Sequence, residues 1–444
     1  MQSALLKPNS NATYPMVSHG EGVFLYDIEG RQYLDGSSGA MTASMGHGQS
    51  KIADAMREQA ATVAFTYRTH FQNQPAEVLA QRLTSLAPGD LNRAFFVSSG
   101  SEATEYAIRT VISYWQKVGR PEKVNVLGRQ RSYHGMTMGA LSLSGHAGRR
   151  PDYATLLHDL SVAPPAYAYR FARPGESEAE YGKRAAHEFE LAILAQGPDT
   201  VAAVIVEPVV GAAGGVIVPP VGYLRELRAV CDKLDVLLII DEIITGVGRT
   251  GDWFACEHEG VTPDLMLLGK GLSGGYAPLS CVLMREHLAD ALAQGDGVNP
   301  FGHTYSGNPV STATGLAVLD LMDRDNVLHN VRERGDQLEQ GLRQLALRYP
   351  MMADVRGRGL LWGFEFVTDP ETKAAPPVAF NSSDRFVAEC LREGLIIYPA
   401  GVAPLNNAVI ISPPLIISAP EIELLLQKLD AALSSMEAQL QDLA

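Results

Sequence analysis

The sequence predicts an α/β fold: a large, mostly parallel sheet with helices on its faces, joined to a smaller α+β part. Three observations predict it. Apolar runs alternate with helical stretches from about residue 94 to 270, the pattern of strands linked by crossover helices. Two of those runs end in ionisable residues: 236–240 stops at Asp241-Glu242, and 265–268 leads to Gly269-Lys270-Gly271. At 444 residues the chain also exceeds one ordinary core, so two or more domains are expected.

Runs 23–27 and 31–35 are strand-like and split by Ile28-Glu29-Gly30, which reads as a β-hairpin. The glycine clusters at 36–39 and 46–48 are loops or a pocket wall, and His47 reads as structural. Ser50 caps a helix from Lys51, with Ile52, Ala53 and Met56 on its apolar face. The strand 94–97 ends in Ser98-Ser99-Gly100-Ser101-Glu102, and a helix follows to Lys117, with Gly119 to end it. Ser99 and Glu102 have capping-box spacing. Bare amides at the start of that helix make a phosphate site, and a merely well-capped helix is the alternative. After the strand 124–127, Tyr133-His134-Gly135 offers an aromatic ring that stacks on a planar group or simply fills core. Residues 164–180 read as an irregular surface insertion before a helix to Leu194. The strand 201–206 ends at Glu207-Pro208, a loop follows at 211–215, and helix 223–234 leads into the run 236–240.

An acid at one strand end and an amine at the next form a distinctive pair. In open α/β sheets ligands bind at that edge. A carboxylate for a cationic ring nitrogen and a lysine for a Schiff base are what pyridoxal phosphate (PLP) needs. Gly246-Val247-Gly248-Arg249-Thr250-Gly251 matches G-x-G-x-x-G, but it does not sit directly between strand and helix as a dinucleotide fingerprint does. Cys256-Glu257-His258-Glu259 has no spaced partners, so no metal is expected. Beyond Lys270, residues 301–309 form a polar loop before a helix at Ser311. A helix over 326–348, strands at 359–367, 395–398 and 409–411, and a helix from Pro420 to Leu443 complete a second domain, whose sheet is expected to take in the N-terminal hairpin.

Composition excludes some classes. A net charge of −14 argues against a nucleic-acid surface. No apolar run approaches the about 20 residues that cross a bilayer, and the N-terminus lacks a signal-peptide core. The four cysteines are far apart and read as free thiols of a reducing compartment, so a cytoplasmic address is expected.

Taken together, Ser99-Gly100-Ser101-Glu102-Ala103, Tyr133-His134-Gly135, Glu207-Pro208 with Gly214-Gly215, Asp241-Glu242-Ile243 with Gly248-Arg249-Thr250-Gly251, Lys270-Gly271 and Thr304-Tyr305-Ser306-Gly307 stand in the order and spacing of one family. The chain resembles the class III (ω-type) PLP aminotransferases over nearly its whole length. The resemblance implies a fold-type I transferase with a large seven-stranded-type sheet domain at 59–325. The smaller domain would come from 1–58 and 326–444. It implies a homodimer or dimer of dimers with shared active sites. Lys270 would form the Schiff base and Asp241 would pair with the ring nitrogen. Tyr133 and Ile243 would cover the two ring faces, with His134 alongside. Ser99, Gly100 and Ser101 would hold the phosphate, and Thr304 would reach the phosphate of the neighbouring subunit. Glu207, Met41 and Tyr67 would face the substrate.

The chain also departs from that family. Two positions where relatives place a carboxylate-binding arginine hold Ile410 and Ala419, and a pocket tryptophan is replaced by Met41. Arg68, near Tyr67 and His70, is a candidate substitute, with a plain surface residue as the alternative. The expected reaction moves an amino group from an amine or ω-amino acid to a keto acid, pyruvate first. A racemase or aminomutase on the same fold is the alternative. A PLP-binding regulator is disfavoured, because nothing basic or helix-turn-helix-like precedes residue 20.

Overall fold

A computed structural model describes residues 4–7, 9, 11–294, 302–401 and 405–441. Its N-terminal strands β1 (Val17–Glu21), β2 (Phe24–Asp27) and β3 (Gln32–Asp35) form an antiparallel meander. The large sheet contains β4 (Arg93–Val97), β5 (Asn125–Arg129), β6 (Ser161–Ala163), β7 (Val201–Val206), β8 (Leu237–Asp241), β9 (Leu265–Leu268) and β10 (Ser280–Met284). The C-terminal part adds β11 (Met352–Arg358), β12 (Leu361–Phe366), β13 (Leu395–Ile396), β14 (Tyr398–Ala400) and β15 (Ala408–Ile411).

The large sheet has the order β4-β10-β9-β8-β7-β5-β6. Its strands pair in parallel from β6 to β9. β10 runs antiparallel to both β9 and β4, so β4 points the same way as β9. Every residue of β7, β8 and β9 is buried. Helices cover both faces, so these strands carry continuous apolar runs instead of an alternating pattern. All the strands except β10 therefore end at one edge, where the sequence places its polar residues.

Three expectations need correction. The smaller sheet is two sheets: the hairpin joins β13 in the order β1-β2-β3-β13, while β11-β12-β15-β14 is separate. Parallel pairing of Leu34 with Leu395 brings distant parts of the chain together, which hairpin periodicity does not reveal. Ser50 is the first residue of its helix (Ser50–Thr62) rather than the cap; Gln49 precedes it and gives no side-chain cap bond. Residues 164–180 are a surface insertion only in part: 171–175 and 177–180 are exposed, but 165–167 are buried. Tyr167 is 2% exposed, and its hydroxyl donates to Asp354 at 3.0 Å and accepts from Arg356 at 2.8 Å. Leu443 lies outside the described residues, and the last helix is Ala419–Gln441. Phe301, in the expected polar loop, also lies outside them.

Candidate active site

The C-terminal edge of the large sheet borders a cavity of about 290 Å³. Asp241 is the last residue of β8, and Lys270 stands two residues past β9. Glu207 follows β7 directly, and Tyr133 and His134 come from the segment after β5. Ser98 to Ser101 follow β4, and all of these residues line the same cavity.

Asp241 is 4% exposed and its two oxygens have separate partners. Oδ2 faces His134 Nδ1 at 2.8 Å, and Oδ1 accepts the Ile243 amide at 3.1 Å. The His134 backbone is held on both sides: its amide donates to Ser144 Oγ, and the Thr104 hydroxyl donates to its carbonyl. His134 is thus placed to orient Asp241, a role its sequence neighbourhood did not show. Glu207 Oε1 accepts from the Tyr133 amide at 3.0 Å and Oε2 from Gly211 at 2.9 Å. Burial pushes the Glu207 carboxyl above its ordinary range and the Asp241 charge adds to this; His134 and the two amides oppose it.

Lys270 opens a short 3-10 turn, Lys270–Ser273, with φ +41. A non-glycine residue in the left-handed region is strained, and such strain is concentrated at functional sites. Burial pushes its ammonium below the ordinary lysine range; Asp241 and Glu207 pull it back, and Arg149 adds to the depression.

The helix Gly100–Lys117 begins at the cavity wall. Ser99 Oγ accepts from the Glu102 amide at 3.2 Å, while Glu102 accepts from Ser98 at 2.7 Å. This is a capping box displaced by one residue, since the glutamate reaches Ser98 instead of Ser99. The Gly100 and Ser101 amides belong to a first turn that has no intrahelical acceptor, at the positive end of the helix dipole. Ser101 Oγ accepts from the Met136 amide at 3.0 Å. A Cβ on Gly100 would meet Ile243 Cγ2 at 3.3 Å, and one on Gly269 would meet Ser280 Oγ at 2.6 Å. The two bare glycines leave room for the Ile243 side chain at the cavity wall. An anion-receptive helix start, an apolar Ile243 wall, a buried acid and a depressed lysine around one cavity fit a flat, phosphorylated, cationic ring.

Several candidate residues lie elsewhere. Met41 does not line this cavity; it is 2% exposed and packs with Val209, Ile244, Leu361 and Ile410. Its neighbour Thr42 lines the wall instead. Tyr67 is 44% exposed and edge-on to His70, and Arg68 lies over the Phe95 ring; neither borders the cavity. Thr304 is exposed in a turn and does not reach this chain's own cavity. Ile410 is fully buried, and the Ala419 carbonyl accepts from Gln337. The wall also includes Ser273 and Ala277 to Ser280, which sequence reading did not single out. Their only signal was their place between Lys270 and an apolar strand.

The glycine run beside the site is scaffold. Arg249 is buried and donates to the carbonyls of Leu360 and Pro413 at 3.0 and 2.6 Å, which ties the large sheet to the C-terminal part. Glu257 accepts the Phe254 amide, and His258 pairs with Asp252. No His/Cys/Asp/Glu cluster among the described residues could hold a metal.

Known proteins resemble this chain over nearly its whole length. The chain matches the family Aminotransferase class-III over residues 6–433. It is 40% identical over 443 residues to the uncharacterized aminotransferase YodT of Bacillus subtilis (strain 168), covering 99% of each chain. It is 35% identical to the taurine–pyruvate aminotransferase of Bilophila wadsworthia, over 94% of this chain and 92% of that one. The omega transaminase of Pseudomonas jessenii, solved in complex with PMP, superposes with a TM-score of 0.90 at 32% identity, over 96% of this chain and 94% of that one. The architecture is the fold-type I architecture of transaminases, and the chain belongs to the class III aminotransferase family.

Proposed function

We propose that this enzyme uses PLP to move an amino group from an amine or ω-amino acid to a keto acid, with pyruvate the favoured acceptor. One observation carries the reading: adjacent parallel strands deliver Asp241 and Lys270 to one cavity whose far wall is the start of a helix. Lys270 would hold the cofactor's aldehyde carbon as a Schiff base, Asp241 its ring nitrogen, and Ser99, Gly100 and Ser101 its phosphate. Tyr133 and Ile243 would take the ring faces. When bound, PLP supplies the aldehyde that condenses with amines and a cationic ring that withdraws electrons from them.

The protein's own residues do the rest. A carboxylate held by His134 and the Ile243 amide stabilises positive charge at the position it faces. An amine with a depressed pKa has a larger neutral fraction near neutral pH, so Lys270 Nζ can accept and return a proton. Glu207 borders the same space, its carboxyl held by the Tyr133 and Gly211 amides. The PMP held by the P. jessenii relative supports the cofactor, and the activity named for the B. wadsworthia relative supports pyruvate.

We further propose that two copies share the site. Thr304 is exposed and outside its own cavity, which suits a reach into a neighbour. No helix among the described residues is long and apolar enough to cross a membrane, and all four cysteines are free and buried; these features support the proposed cytoplasmic address. The test is to mix PLP-loaded protein with a panel of amine donors and pyruvate, and follow cofactor absorbance and amine product. Reversible conversion with product formation is expected. No transfer across the panel refutes the reading, and α-deuterium uptake without keto-acid consumption would indicate an isomerase.

A further inference from the structure

We propose that Arg149 binds the carboxylate of the acid substrate, a role that Ile410 and Ala419 cannot fill. The inference rests on the aminotransferase reading above and names the substrate group that the site selects. Arg149 ends a short 3-10 turn, Ala147–Arg149, which follows β5 and the Tyr133 segment. Its guanidinium carbon lies 4.6 Å from the centroid of the Tyr133 ring, and Tyr133 lines the cavity. Arg149 itself stands behind the lining residues, and the contact fixes its guanidinium on an aromatic ring that does line the cavity. Its charge reaches inward, since Arg149 adds to the depression of the Lys270 ammonium and opposes the rise of the Tyr133 hydroxyl.

The neighbouring arginines have other duties. Arg150 donates to the carbonyls of Leu141, Ser142 and Ser144 and pairs with Asp159. Arg356 donates to the carbonyls of Gly214, Gly215 and Val216 and pairs with Asp354. Arg249 serves Leu360 and Pro413, and Arg68 lies over Phe95, away from the cavity. Arg149 has no carboxylate within ion-pairing distance among the described residues. The acids that border the cavity are already engaged: Asp241 by His134 and the Ile243 amide, Glu207 by two backbone amides. With Lys270 reserved for the amino group, Arg149 is the cation available to an incoming anion. Its planar fork matches a carboxylate through two parallel hydrogen bonds, which an ammonium cannot do.

The test pairs Arg149→Met and Arg149→Lys with two three-carbon acceptors, pyruvate and uncharged propanal. Charge-assisted hydrogen bonds contribute about 1.5–3 kcal/mol, so Arg149→Met should raise KM for pyruvate about 10- to 150-fold. KM for propanal should change less than about 3-fold, and Arg149→Lys should fall between for pyruvate. Calorimetry of propionate and propionamide binding to the PLP-loaded protein gives a readout free of turnover. Wild type should prefer propionate, and Arg149→Met should lose that preference. Equal losses for both acceptors, an unchanged pyruvate KM, or no wild-type preference for propionate would overturn the assignment. If Arg149→Met does not fold, an Arg149→Lys protein with wild-type pyruvate KM and propionate binding would overturn it. If wild type transfers no amino group, the aminotransferase reading fails, and calorimetry alone decides whether Arg149 holds a carboxylate.

Discussion

Replacing Glu242 with Gln should remove a pH-dependent burden on folding without touching the site. Asp241 faces the cavity, but Glu242 turns behind the sheet. It is 1% exposed, accepts the Cys256 amide at 2.8 Å and bonds the Thr245 hydroxyl. Burial raises its carboxyl from 4.5 to about 6. A raised carboxylate pKa means that the folded state binds more protons than the unfolded state between those two values. Stability therefore falls as pH rises through that window, and the burden is complete above about pH 6. At about 1.4 kcal/mol per pH unit, the ionised form costs about 2 kcal/mol. Glutamine keeps both contacts: its oxygen accepts from Cys256 and its amide donates to Thr245 Oγ1. Urea unfolding of the two proteins from pH 4 to 8 should show Glu242→Gln gaining about 2 kcal/mol relative to wild type between pH 4.5 and 7. A difference that stays constant across this range, or that reverses sign, refutes the account.

Three further outcomes follow. Lys270→Ala should lower turnover at least about 100-fold through loss of the proton carrier, and a variant with full turnover would exclude Lys270 from the chemistry. In wild type the neutral Lys270 amine is lost as pH falls through its lowered pKa, so turnover should decline on the acid side, read as kcat against pH. Gly269→Ala places a Cβ 2.6 Å from Ser280 Oγ and 2.9 Å from Ile243 Cδ1; the backbone there is extended (φ −171), so the cost is steric. It should destabilise by about 1–3 kcal/mol, with partial rescue by Ser280→Ala in thermal melts, and a Gly269→Ala melt identical to wild type would contradict the packing. Burial pushes the thiols of Cys231, Cys256, Cys281 and Cys390 upward, so a thiol reagent should label all four in denaturant and none in the native protein.

What was legible in the chain follows from physical locality. Strands β7, β8 and β9 are continuous apolar runs because helices cover both faces, and their ends are marked by Glu207, Asp241 and Lys270. The start of the helix at Gly100 was readable from Ser99 and Glu102, although the glutamate closes on Ser98. Pairings between distant segments left no local trace. β13 joins the N-terminal meander through Leu34 and Leu395, and Tyr167 is buried by Arg356 and Asp354, some 190 residues away. Met41 shows the same limit. The family resemblance put it in the pocket wall, but its burial depends on Ile244, Leu361 and Ile410.

The two halves of the proposed activity are built differently, and this explains which of them the sequence reveals. The chemistry sits on strand ends: Asp241, Glu207 and Lys270 are held by buried strands, and backbone amides at Ile243, Tyr133 and Gly211 hold the two acids in place. Such a site is precise because its supports are rigid. Selection of the substrate, as proposed, falls to Arg149, which a 3-10 turn carries. Turns tolerate change that buried strands do not. Loss of arginine at positions 410 and 419 can then be offset by an arginine elsewhere while Asp241 and Lys270 stay where the sheet puts them. On this view a change at Arg149 alters which acid is accepted, and a change at Asp241 or Lys270 alters whether any amino group moves at all.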